Sequence, residues 1–74
     1  MMINLFSIVN QIIRYADAVS QTEQWLSIFN DAADKAKSSE DIVFECCAPL
    51  SNAEFWYRTA KHEGQILINM LDKE

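Results

Sequence analysis

Residues 42–54, Ile-Val-Phe-Glu-Cys-Cys-Ala-Pro-Leu-Ser-Asn-Ala-Glu, decide how many elements this chain forms. The β-branched start, Ile42 and Val43, suits a strand, but a lone strand finds no pairing partner elsewhere in the sequence. A short helix that stops before Pro49 is the better reading, because the residue ahead of a proline resists helical geometry. Just beyond it, Ser51 and Glu54 fit a capping box, in which each side chain satisfies a backbone N–H of the other residue. Leu50 and Phe55 flank that box as a hydrophobic staple. A last helix is therefore expected from Ser51 onward, with Tyr57, Ala60, Gly64, Leu67 and Leu71 along one face. Gly64 costs such a helix about 1 kcal/mol relative to alanine. With Ala60 one turn earlier, it suits a close helix crossing.

Upstream, Ser38 and Ser39 punctuate the chain, and Glu40 and Asp41 load a new first turn with negative charge. Before them, residues 21–37 read as an amphipathic helix burying Trp25, Leu26, Phe29, Ala32, Ala33 and Ala36. Ser20 and Glu23 open it as a second capping box, and Lys35 and Lys37 complement its dipole at the other end. Residues 2–19 form a first helix whose stripe is Met2, Leu5, Val9, Ile12, Ala16 and Val19, in alternating steps of three and four. Ile3, Phe6, Ile8, Ile13 and Tyr15 widen that stripe. A helix this apolar needs cover on more than one side. Ile8 and Tyr15, seven residues apart and partly opposite the main stripe, are the candidate self-contact.

These segments predict a compact all-α bundle of three long helices and one short one, forming a single helical domain over residues 1–74. Composition agrees. Half of the 74 residues are hydrophobic, too many for a disordered chain, and one glycine and one proline are too few for a turn-rich β fold. A domain of this size nets little stability from its own core, so a self-dimer is the default partner. The adjacent Cys46 and Cys47 bridge only with strain, so free thiols and a reducing, cytoplasmic compartment are expected. The apolar N-terminal run has no basic residue ahead of it and is interrupted by Asn4, Ser7, Asn10 and Gln11, so no membrane segment is expected.

Eleven acids against six bases leave a net charge of −5, with no clustered lysine or arginine to hold phosphates. Direct nucleic-acid binding is therefore not expected. An acidic surface built from Asp31, Asp34, Glu40, Asp41 and Glu45 favours a basic protein partner instead. Cys46, Cys47 and His62 are the only soft metal ligands, fewer than the four a structural zinc site takes, and no cofactor is expected. No residue stands at a recognisable spacing to orient a cysteine–histidine pair, so catalysis is not expected either. Phe55, Trp56 and Tyr57 point in three directions from one helix, and such aromatics serve as interface anchors. The sequence thus predicts a small acidic, non-catalytic protein–protein interaction module, an accessory or regulatory binder that inhibits or modulates a larger protein or complex. The alternatives are an assembly subunit acting through homo-oligomerisation and, third, a thiol- or metal-dependent enzyme.

Overall fold

A computed structural model describes residues 4–73 and shows two long helices, α1 (Leu5–Lys35) and α2 (Ser39–Asp72), joined by residues 36–38. They fold back on one another as an extended hairpin measuring 57 × 14 × 12 Å. Its radius of gyration is 16.7 Å, whereas a compact domain of this length has about 11 Å. The expected bundle of three long helices and a short one is thus replaced by a two-helix hairpin. Met2 and Ile3 of the expected first helix lie outside the described residues.

The reason lies in the pattern of burial. On α1, covered positions recur as Ile8, Gln11, Ala18, Thr22, Trp25, Phe29 and Ala32, with the partly exposed Tyr15 completing the series. On α2 they recur as Cys46, Pro49, Ala53, Trp56, Ala60, Glu63, Leu67 and Met70. Both series alternate steps of three and four, the 3.5-residue period of a coiled-coil seam. That seam runs through Ser20 and Pro49 without interruption.

At Ser20 a helix start was expected, yet its hydroxyl accepts a hydrogen bond from Gln24 Nε2 at 3.3 Å, one turn along the same helix. A serine inside a helix costs only about half a kcal/mol. Keeping Ala18, Thr22 and Trp25 on one continuous line outweighs that. The break expected at Pro49 is also absent. Proline leaves the Glu45 carbonyl without its helical donor, a cost of about 3 kcal/mol. Glu45 is an exposed residue, so water can satisfy that carbonyl. Pro49 itself is buried, and Cys46 and Ala53 on either side of it are buried too, so both segments are held against α1. The Ser51–Glu54 capping box does not form: Glu54 pairs with Arg58 at 2.7 Å, one turn further on.

The break expected near Ser38 is where the chain turns. Ser38 is the N-cap of α2, and its hydroxyl accepts from the Asp41 backbone N–H at 3.2 Å. Asp41 Oδ2 in turn accepts from the Lys37 N–H at 3.2 Å. Ala36 and Ser38 both take extended backbone angles, so the connection needs no glycine. At the opposite end, Asn4 caps α1 by accepting from the Phe6 N–H at 2.7 Å. Lys35 at the end of α1 and Glu40 and Asp41 at the start of α2 each complement their helix dipole.

Two serines with the same sequence signature therefore differ in role. Replacing Ser38 by alanine should lower unfolding free energy by about 1 kcal/mol through loss of the cap. Ser51→Ala, in mid-helix and exposed, should change it by less than about 0.5 kcal/mol. Urea unfolding of the two variants checks the difference, and a larger loss at Ser51 would restore the helix start there.

Candidate functional site

The seam buries small side chains. Ala18, Cys46, Pro49, Ala53 and Ala60 are its buried apolar residues, and among the described residues none of the large side chains is fully covered. What it leaves uncovered is ordered. One residue beyond the seam on α1, at seven-residue steps, stand Leu5, Ile12, Val19 and Leu26. The corresponding row on α2 is Val43, Leu50, Tyr57, Gly64 and Leu71. Both rows border the same side of the seam. A groove of about 420 Å³ is lined by Tyr15, Val19, Tyr57, Gly64 and Ile68 among others. A second groove, of about 280 Å³, is lined by Leu26, Leu50 and Ala53. They share Thr22 and Tyr57, so they form one trough along the hairpin.

The rims of this trough remain open to solvent. Leu26 is 43% exposed, Leu50 49% and Tyr57 54%. The main stripe read from the first helix, Leu5, Val9, Ile12 and Ala16, lies on this face and not in the seam. On the other side of the seam, α1 carries Ser7, Arg14, Gln21, Ile28 and Lys35, while α2 carries Glu45, Asn52, Thr59 and Ile66. One flank is apolar at nearly every step and the other is mostly polar. Scattered surface hydrophobics need no explanation, but a contiguous apolar face does.

Two local interactions set the geometry at the open end of the hairpin. Gln11 is buried, and its side-chain amide donates to the Glu63 backbone carbonyl at 2.9 Å and to the Glu63 carboxylate at 2.5 Å. A polar pair inside an otherwise apolar seam fixes register, since sliding by one turn would strand it. One turn along α1, Tyr15 packs against Gly64: a Cβ there would sit 3.0 Å from Tyr15 Cε1. Glycine lets the two helices close around the ring. Lys61 holds its ammonium 5.5 Å from the Tyr57 ring centroid, at the edge of the trough.

The candidate interface residues are therefore divided among different surroundings. Ile8 and Tyr15 occupy the seam, Ile8 half-buried. Of the aromatic triplet, Tyr57 lies on the apolar face and Trp56 is half-buried at the seam. Phe55 is exposed and meets Trp56 edge-on, with ring centroids 5.2 Å apart. Asp31, Asp34, Glu40, Asp41 and Glu45 are all exposed around the hinge, interleaved with Lys35 and Lys37. Cys46 is buried and Cys47 exposed, both as free thiols. No group of three or more His, Cys, Asp or Glu converges to hold a metal among the described residues. Among those residues, no helix is long and apolar enough to cross a membrane. Leu26 and Leu50 are the face residues that sequence reasoning missed. Their signal was the seven-residue spacing, which expected breaks at Ser20 and Pro49 had cut in two.

Comparison of the chain with protein-family models, with curated protein sequences and with solved structures returns no match. The reading of this face therefore rests on its own chemistry.

The fit of Tyr15 against Gly64 is open to direct test. Gly64→Leu should destabilise the protein by about 1–3 kcal/mol by displacing the ring. Combining it with Tyr15→Ala should recover part of the loss, giving a coupling of at least about 0.5 kcal/mol in a double-mutant cycle. Additive losses in urea unfolding would show that the two residues do not share the space.

Proposed function

We propose that the chain is a non-catalytic interaction module that works as a homodimer, two hairpins packing their apolar faces into a four-helix assembly. The observation that carries this is the uncovered face itself, with its polar counterpart across the seam. Surface area supports it. The chain exposes 5782 Å², whereas a compact chain of 8.5 kDa exposes about 4,700 Å². The surplus of about 1,100 Å² is enough for one side of a standard stable interface, which takes about 800 Å² per partner.

Energetics favour a second copy as the occupant. The fully buried apolar residues of the seam are small and its large ones only half-buried, so it gives little apolar burial against an ordering cost of about 1.5 kcal/mol per residue. A hairpin one layer thick needs another layer to form a core. A second copy is present wherever the first is, and a two-fold axis lets one self-complementary face cover itself. Leu26, Leu50 and Tyr57, near the middle of the hairpin, then become core residues. Phe55 lies away from this trough and stays available as an aromatic anchor for a further protein.

Sedimentation equilibrium provides the test. The wild-type chain should have twice the 8.5 kDa chain mass, and its melting midpoint should rise with concentration, as linked folding and association require. Leu26→Asp combined with Leu50→Asp should abolish the dimer. Gln21→Glu with Asn52→Asp, on the polar flank, should leave it intact. A wild-type monomer with a concentration-independent midpoint would refute the proposal.

A further inference from the structure

The dimer proposed above leaves one geometric choice open: whether the two hinges lie at the same end or at opposite ends. Either arrangement lets one apolar face cover the other, so burial alone does not select. Charge does. The midpoints of α1 and α2 fall near Ser20 and Phe55, which divides the hairpin into a hinge half and an open half. Residues 20–54, the hinge half, hold seven acids and two bases. Residues 1–19 and 55–74 hold four acids and four bases. The whole net charge of −5 therefore belongs to the hinge half.

We infer that the two copies associate antiparallel, with each hinge beside the open end of the other. This rests on the homodimer reading and specifies its partner geometry. With the hinges together, Asp31, Asp34 and Glu40 of both copies would gather at one end, opposed only by Lys35 and Lys37 from each. Like charges held together across an interface oppose association, and opposite potentials set orientation. Turning one copy end for end places its acidic half alongside Arg58 and Lys61 of the other. Both cations lie in the open half, and Lys61 lines the trough itself. Arg58 has one carboxylate partner, Glu54, and both side chains are more than half exposed, so the guanidinium can accept a second acid. The antiparallel arrangement spreads the ten net negative charges of the dimer over both ends.

A distance measurement between the hinges decides the matter. Full-length chain carrying Cys46→Ala, Cys47→Ser and Lys37→Cys is spin-labelled at the single thiol, and its dimeric mass is checked by light scattering. Pulsed dipolar spectroscopy should then give an inter-label distance approaching the 57 Å length of the hairpin. Hinges at the same end would instead give less than about 25 Å, because packed helices lie only 8–10 Å apart. A label at Ser20→Cys, near mid-length, should give a short distance in either arrangement and so confirms that labelled chains pair. Short distances from both sites with a dimeric mass would overturn the antiparallel arrangement alone. A monomeric mass for the wild-type chain would overturn the homodimer and this inference together.

Discussion

The 3.5-residue recurrence of covered side chains along the seam, with small residues set between half-buried large ones, is the constraint on which the other features depend. Ala18, Ala53, Ala60 and Cys46 are small enough to bring two helices together along their length. In return they bury little apolar area. Large residues at those positions would have made a better two-helix core and a wider hairpin, with less apolar surface left over. Gln11 and Glu63 then fix which turn of α1 meets which turn of α2. Gly64 admits the Tyr15 ring at the same end. Register and spacing are thus set by a few contacts, while much of the large apolar surface stays exposed.

A continuous part of that surface lies on one flank, while Phe6, Ile13, Phe44 and Phe55 are exposed apart from it. Leu5, Ile12, Val19 and Leu26 on α1 face the same way as Leu50, Tyr57 and Leu71 on α2, at intervals of seven residues. A seam whose fully buried residues are all small, with large aliphatic residues left on the flank, is the reverse of what a self-sufficient hairpin needs. It is what one half of a four-helix core needs, because the inner layer of each hairpin must be thin for the second layer to pack closely. The polar flank through Arg14, Gln21, Glu45 and Asn52 keeps such an assembly from growing further on that side.

Helical class, the turn at Ser38, the apolar excess of the N-terminal segment and the close approach at Gly64 were all legible in the sequence. The number of helices was not, and the reason is physical. Ser20–Glu23 and Ser51–Glu54 carry the signature of a helix start, yet local signals worth about 1 kcal/mol give way to a seam that runs the length of the chain. Pro49 stops a helix in isolation. Here the buried neighbours Cys46 and Ala53 hold both sides of it in line. The strongest stripe of the first helix was legible too, but periodicity says that a face is buried without saying by what. The structure gives the second helix to the weaker stripe, through Ile8, Gln11, Tyr15 and Ala18. Leu26 and Leu50 were not joined into one face because Leu26 was assigned to the core of a separate helix and Leu50 to a staple with Phe55.

The central claim is that the row of leucines outside the seam is covered by a second copy of the chain. Methyl NMR with a soluble paramagnetic agent tests it most directly. If the face is covered, the Leu26 and Leu50 methyl signals resist broadening and give intermolecular contacts in mixed isotope-labelled samples. Ile28, on the polar flank and 46% exposed, broadens strongly in the same sample. Equal broadening of Leu26, Leu50 and Ile28, with no intermolecular contacts, would contradict it.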